Sequence, residues 1–234
     1  MHDPDHVTRC GDGTWIVIPA YNEERVMAGV IGEAVRSGHR VVVVDDGSSD
    51  ATAEIGARTG DVVVRHPINL GQGAALQTGI TFALAQGADF IVTFDADGQH
   101  RIADVSKLLD ALAEHQADFA LGSRALGQTT NMPASRRLLL WGATCFTRIT
   151  IGMEVTDAHN GLRAMTRRGA RCLKLRQNRM AHASEILDQI ASSGLKYIEV
   201  PVNIEYSSYS LAKGQRSSDA IDILLDLCVS RLHQ

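Results

Sequence analysis

The sequence predicts an α/β domain with a mostly parallel central sheet and helices on both faces. Three observations predict it. Short β-branched runs alternate with longer stretches at helical spacing. The runs lack the polar alternation of a half-exposed strand, as strands buried on both faces do. The alternation repeats at the spacing of βαβ units. The 234 residues bound the chain to one large domain or two small ones. With 44% apolar and 21% charged residues it has the composition of an ordinary globular protein, whose core needs no staples.

In order, the strands are TWIVIP (14–19), RVVVVD (40–45), DVVVR (61–65), DFIVTF (89–94) and DFALGS (118–123). Helices fall between them at about 23–37, 50–59, 71–86 and 101–115. Ser49 or Asp50 can cap the second helix, and Gly60 can stop it. The polar stretch ALGQTTNMPA (124–133) breaks the pattern. A helix follows at about 134–150, whose Leu138, Leu139, Leu140, Trp141, Phe146, Ile149 and Ile151 predict core packing; docking on a bilayer is the lesser reading. HNGLRAM (159–165) and YIEVPVNIEY (197–206) read as strands separated by a helix at about 182–193, with Pro201 marking an edge or a bulge. SSYSLAKGQRSS (207–218) reads as a loop. The chain closes on an amphipathic helix at about 219–232, with Ile221, Leu224, Leu225, Cys228 and Leu232 at helical spacing.

Several function classes are excluded. A net charge of −4 does not suit a cationic nucleic-acid coat, and no nucleic-acid partner is expected. Cys10, Cys145, Cys172 and Cys228 form no CxxC pair, which argues against a zinc site or a disulfide scaffold and suits a reducing cytosol. MHDPDHVTRC lacks the order of a signal peptide, and no run reaches the roughly 20 apolar residues of a membrane span. Strand one runs into PAYNEE rather than GxGxxG, which argues against NAD or FAD. The P-loop imitation after residue 122 has Gln128 where a phosphate-binding Lys belongs, and no GxSxG elbow occurs.

In such sheets ligands bind outside the carboxyl ends of the strands. Strand one ends in Pro19-Ala20-Tyr21-Asn22-Glu23, strand two in Asp45-Asp46-Gly47-Ser48-Ser49-Asp50, and strand four in Asp95-Ala96-Asp97-Gly98-Gln99-His100. Turn formation explains Asp50 but not Asp95 and Asp97, because like charges two residues apart repel unless something neutralises them. An oxygen set of Asp, Asp and Gln suits Mg²⁺ or Mn²⁺. A calcium EF-hand starting at Asp95 fails, since it would need Gly at 100 and Glu at 106. Charge is also segregated. Residues 1–123 hold 8 Lys/Arg against 18 Asp/Glu, and residues 124–182 hold 11 against 2. Carboxylates for a metal and arginines for phosphates would divide in this way, although a solvated basic surface is the commoner fate of such a run.

These motifs occur in one order along nearly the whole chain: IPAYNEE (18–24), VVDDGSSDAT (43–52), NLGQGAALQTGI (69–80), FDADGQH (94–100), GSR (122–124), SRRLLLWGA (135–143), DAHNGLR (157–163) and KGQR (213–216). In them the sequence resembles the family-2 inverting glycosyltransferases of the GT-A fold. Among these it looks most like the dolichol- or polyprenyl-phosphate mannosyl- and glucosyltransferases. The resemblance implies a Rossmann-like single domain over 1–234. Residues 1–123 would hold the nucleotide sugar and metal, and residues 124–234 would face the acceptor. It implies transfer of a sugar from GDP-mannose or a UDP-sugar to a polyprenyl phosphate, with Mg²⁺ or Mn²⁺. The alternatives are a hydroxyl acceptor on a glycan or small molecule, or a catalytically silent nucleotide-sugar binding protein. A cytoplasmic protein, touching a membrane peripherally if at all, is expected; the oligomeric state stays open.

Residue by residue, the resemblance implies that Pro19, Tyr21, Glu23 and Asp46 hold the base and ribose. Asp97 and Gln99 would touch the metal, and Asp95 the metal or the ribose. Arg124, Arg137 (or Arg136) and Arg216 would clamp phosphates. Asp46 is expected to present a free carboxylate to the pocket. Asp157 is either a base for the acceptor or a partner for local backbone or Arg163. His66 and His100 read mainly as structural histidines. Lys213 and Arg216 sit in a loop that could close over the diphosphate. No QxxRW motif of processive relatives is present, which favours one sugar per encounter.

Overall fold

The structure is a computed structural model that describes residues 13–178 and 181–207. Its centre is a seven-stranded sheet in the order β3-β2-β1-β4-β7-β5-β8. Four strands come from the first half: β1 (Thr14–Ala20), β2 (Arg40–Asp45), β3 (Val62–Arg65) and β4 (Phe90–Thr93). All four run parallel, with Ile16 opposite Val41 on one side and Val92 on the other. β5 (Phe119–Ser123) and β8 (Tyr197–Pro201) pair parallel. β7 (Arg163–Thr166) lies antiparallel between β4 and β5. Six strands therefore share one direction, and their carboxyl ends gather along one edge.

Helices cover both faces because both faces of the central strands are apolar. In α1 (Glu24–Arg36) the buried residues Met27, Val30, Ile31 and Ala34 follow helical spacing. Together with α2 (Thr52–Thr59) and α4 (Ala103–Glu114), α1 packs on Ile16, Ile18, Val41 and Val43. The other face, with Trp15, Val17, Val42 and Val44, takes α3 (Gln72–Ala85), α6 (Arg167–Cys172) and α7 (His182–Ser193). α3 reaches the sheet closely through Gly79, where a Cβ would meet Val17 Cγ1 at 2.3 Å. A two-stranded ladder of β6 (Thr129–Thr130) and β9 (Ile204–Glu205) lies beside the main sheet and bridges His100 through Ile204.

Several details depart from the sequence reading. β3 is an edge strand and only half-buried. α2 is capped at Ala51, with Asp50 taking the Thr52 N–H from just outside. Of the predicted 159–165 strand only 163–165 pairs in the sheet, and the paired stretch continues to Thr166; before it Asn160 Oδ1 accepts from Leu162 N and turns the chain. Pro201, which cannot donate to a ladder, ends the edge strand β8, and the predicted 197–206 strand splits there. The short elements β6 and α6 were not foreseen.

The largest departure is α5 (Ala134–Ile151), expected to pack into the core. Its only buried residues are Thr144 and Thr147. Leu138, Trp141 and Ile149 are 68%, 65% and 84% exposed. The inward face carries the two threonines: Thr144 Oγ1 accepts from Ala158 N at 3.4 Å, and the Thr147 hydroxyl is buried without a partner among the described residues. The predicted 219–232 helix and the 207–218 loop beyond Ser207, with Lys213 and Arg216, lie outside the described residues.

Candidate active site

The gathered strand ends enclose a cavity of about 540 Å³. Among its walls are Pro19, Tyr21, Glu23, Asp46, Asp95, Asp97, Gln99, Arg124 and Arg136. Eight of the eleven candidate site residues named from the sequence therefore meet at one place, while Asp157 lies off this wall and Arg216 outside the described residues. Arg137 is an exception: it is exposed on α5 and absent from the wall, which its neighbour Arg136 reaches.

The turn after β1 is stitched to the turn after β2. Asn22 N donates to Ser48 Oγ at 2.9 Å, Ser49 N to Asn22 Oδ1 at 2.9 Å, and Glu23 N to Thr52 Oγ1 at 2.8 Å. Asn22 takes a left-handed φ of 53°, which an Asn tolerates. This leaves Tyr21 45% exposed at the mouth.

Asp46 does not present the free carboxylate expected of it. Oδ1 accepts from Leu70 N at 2.9 Å and lies 2.7 Å from His66 Nδ1; Oδ2 accepts from Gly71 N at 2.7 Å. His66 Nε2 is 3.0 Å from Thr78 Oγ1. Asp46 thus pins the turn that carries Asn69, Gly71 and Gln72 onto the cavity wall, and His66 has the structural role that a lone histidine commonly has.

The DADGQ segment supplies the oxygen donors. Asp95 Oδ1 accepts from Gln72 Nε2 at 3.0 Å, and Oδ2 lies 3.3 Å from His100 Nε2. Gly161 presses its backbone on this carboxylate. Asp97 Oδ1 accepts Gln99 N at 3.0 Å. Burial alone would raise Asp95, but the hydrogen bond from His100 and the charges of His100, His182 and Arg163 hold it below the usual carboxylate range. Asp97 is pushed up to about 6 by burial and by Asp95 beside it. One carboxylate is compensated by protein groups and its neighbour is not. The undercompensated Asp97 and the Gln99 side chain are hard oxygen donors that fit Mg²⁺ or Mn²⁺. Among the described residues no group of three or more His, Cys, Asp or Glu could hold a metal by itself.

Across the cavity, Arg124 is built into the protein. Its Nε donates to Asp157 Oδ2 at 2.6 Å, Nη1 to the Tyr206 hydroxyl at 2.9 Å and Nη2 to His159 O at 3.0 Å. Asp157 also accepts from Arg124 N at 3.0 Å and His159 N at 3.2 Å. Burial would raise Asp157, but Arg124 and these N–H groups hold it below the usual carboxylate range. A carboxylate of such low proton affinity, off the cavity wall, is badly placed to act as a base, so the geometry favours the pairing alternative. Its partner is Arg124 rather than Arg163. Arg163 lies buried behind Asp95, brought down to about 10 mainly by that burial. Arg136 stands with its guanidinium carbon 5.0 Å from the Tyr206 ring centroid.

Residues the sequence reading missed include Gln72, His159, Gly161, His182 and Tyr206. Gln72, His159 and Gly161 stood inside quoted motifs; His182 and Tyr206 stood outside them. A larger cleft of about 820 Å³ between α5, α6 and α7 lies away from the strand ends and carries none of these motifs.

A mostly parallel sheet with oxygen ligands and arginines facing each other at its strand ends defines the GT-A class of sugar-transferring folds. Residues 15–173 match the model of glycosyl transferase family 2, and the chain belongs to that family. It is 32% identical to a UDP-N-acetylglucosamine–dolichyl-phosphate N-acetylglucosaminyltransferase of Methanococcus voltae, covering 86% of this chain and 88% of the relative. It is 31% identical to an undecaprenyl-phosphate mannosyltransferase of Micrococcus luteus, over 80% and 81%. Its fold matches glucosyl-3-phosphoglycerate synthase of Mycobacterium tuberculosis, crystallised with Mn²⁺ and UDP-glucose, at a TM-score of 0.73 and 19% identity, over 94% of this chain and 78% of that one.

Proposed function

We propose that this glycosyltransferase moves a hexosyl group from a nucleotide sugar to a polyprenyl phosphate, with inversion and with Mg²⁺ or Mn²⁺ bound. The reading rests on one observation above all: among the described residues, the part of the cavity wall that comes from beyond residue 123 offers arginines and no carboxylate. The lining carboxylates Glu23, Asp46, Asp95 and Asp97 all come from the first half of the chain, whereas Arg124 and Arg136 come from the second. A phosphate monoester is largely ionised at neutral pH, with a second pKa of about 6, and attacks without a base. A sugar hydroxyl must lose a proton during attack, and Asp157 is committed to Arg124.

Asp97 and Gln99, with Asp95 behind them, would hold the cation; when bound it neutralises the leaving diphosphate as a Lewis acid. Pro19, Tyr21 and Glu23 bind the nucleoside, and Asp46 shapes their wall. Arg136, with the N–H groups Arg124 has left, holds the acceptor phosphate through charge-assisted hydrogen bonds. Arg216 joins the clamp on the resemblance alone. No helix among the described residues is long and apolar enough to cross a membrane. The outward Leu138, Trp141 and Ile149, on the helix that carries Arg136, support peripheral contact with the lipid holding such an acceptor.

The test is turnover by the purified chain with a panel of nucleotide sugars, Mn²⁺ and a polyprenyl phosphate in detergent. Product that requires both the divalent cation and the lipid phosphate is expected. Transfer only to hydroxyl acceptors, or undiminished transfer in EDTA, overturns the reading.

A further inference from the structure

Tyr206 is 1% exposed and contacts both arginines of the acceptor side. Its hydroxyl accepts from Arg124 Nη1 at 2.9 Å, and its ring lies under Arg136 at 5.0 Å. Two guanidinium groups facing one cavity repel each other. Asp157 offsets the charge of Arg124. Arg136 has no carboxylate within ion-pair reach among the described residues, so its charge rests on the negative face of the phenol ring. One side chain supplies both a lone pair and a π-face. A Phe offers only the second of these, and an aliphatic residue neither.

The strand around Tyr206 is fixed to both sides of the site. Tyr206 N donates to Thr130 O at 3.3 Å, in the loop that joins Arg124 to α5. Glu205 N donates to Gln99 O at 3.2 Å, on the donor side, and Ile204 lies on the cavity wall. We propose that Tyr206 is a positioning residue: it holds Arg124 and Arg136 at a fixed mutual spacing and ties that spacing to the Gln99 segment. Arg124 is then the anchored member of the pair, with at most two N–H groups uncommitted, and Arg136 is the member whose charge a phosphate meets. The proposal rests on reading these arginines as phosphate ligands.

The experiment uses the full chain carrying Tyr206→Phe or Tyr206→Leu. Acceptor KM and kcat are measured with polyprenyl phosphate, inorganic pyrophosphate binding by calorimetry, and folding by thermal unfolding. Phe keeps the ring under Arg136 and loses the bond to Arg124, so acceptor KM should rise about threefold with kcat held. Leu loses both contacts, and acceptor KM and pyrophosphate Kd should rise about tenfold. Added to Arg136→Ala, Tyr206→Leu should cost only about the threefold share that runs through Arg124, rather than the roughly tenfold loss seen with Arg136 present. Folded variants with unchanged KM and pyrophosphate affinity, or losses that simply add in the double variant, overturn the proposal. If the Leu variant does not fold, the Phe variant decides it by the split between KM and kcat. If the wild type glycosylates no lipid phosphate while pyrophosphate binding still weakens in the variants, Tyr206 keeps its role and the acceptor reading falls.

Discussion

Gly161→Ala tests how tightly the carboxylate of Asp95 is seated. A Cβ at residue 161 would fall 2.0 Å from Asp95 Oδ2, 2.5 Å from Cγ and 2.6 Å from Oδ1. Non-bonded heavy atoms settle near about 3.5 Å, so the two must part by about 1–1.5 Å. The backbone is poorly able to give. Gly161 O accepts from Thr93 Oγ1 at 2.7 Å, and the next residue, Leu162, is fully buried with its carbonyl accepting from Gly122 N at 3.0 Å. The carboxylate would therefore swing, surrendering its contacts with Gln72 and His100. Overpacking of this kind costs about 1–3 kcal/mol of stability. A misplacement of about 1 Å near reacting atoms can cost about 100-fold, and kcat/KM should fall on that order. Initial rates at varied donor, together with thermal unfolding, read both effects. Gly29→Ala is the control: it sits on the exposed side of α1 with nothing within 4 Å of a new Cβ, and should gain about 0.5–1 kcal/mol. A Gly161→Ala protein with wild-type kcat/KM and an unshifted melt refutes the seat assigned to Asp95.

Asp46→Ala should lower stability by about 1–3 kcal/mol, because it takes the acceptor from two part-buried N–H groups and from the buried His66, and donor affinity should fall with the melt; lost affinity with an unmoved melting temperature, by calorimetry and thermal unfolding, would make Asp46 a direct ligand instead. Arg136→Ala should raise acceptor KM by about tenfold or more, the worth of a hydrogen bond to a charged group, and Arg137→Ala should leave it near wild type; the reverse order in steady-state kinetics refutes the placement of α5. The Arg124–Asp157 pair gives a pH signature: with its folded pKa depressed, Asp157 contributes stability that is present above its unfolded value of about 3.9 and lost as pH falls through the lower folded value. Denaturant midpoints measured from pH 7 to pH 3 should decline less steeply for Asp157→Asn than for the wild type, and equal slopes would remove Asp157 from the acid response.

The strands that aim the site were legible because a buried parallel strand writes itself as a β-branched run, and β1, β2, β4 and β5 each did so. Their order was not legible. Nothing local reveals that β7 runs backwards between β4 and β5, bringing the 157–163 loop onto Asp95. Arg136 and Arg137 show the same limit at one residue's scale. Neighbours on a helix point about 100° apart, so the choice between them depends on which face of α5 meets the cavity. Apolar residues argued for burying the leucine and tryptophan face, yet the threonine face is the one turned inward. Asp46 looked free because the N–H groups that occupy it arrive from Leu70 and Gly71, distant in sequence.

The charge asymmetry of the sequence acquires its meaning only when pairings are followed atom by atom. Asp46 and Asp95 each have both carboxylate oxygens in contact with N–H or imidazole partners. Asp97 is the least compensated of the three, raised by its burial first and by Asp95 second, with only Gln99 N and the charge of His100 opposing. On the opposite wall Arg124 is matched by Asp157, and Arg136 has, among the described residues, an aromatic face and no carboxylate against it. What remains unmatched is an acid on the donor side and a cation on the acceptor side. The first calls for a cation and the second for an anion. A divalent metal carrying a nucleotide diphosphate and a phosphate acceptor would satisfy both at once. A neutral hydroxyl acceptor would leave Arg136 without a counter-charge from the described residues and would draw its base from the carboxylates of the opposite wall, Asp97 or Glu23. Asp97 cannot hold a metal and accept a proton in the same step. The pairing pattern therefore favours a phosphate acceptor more strongly than the composition of residues 124–182 does.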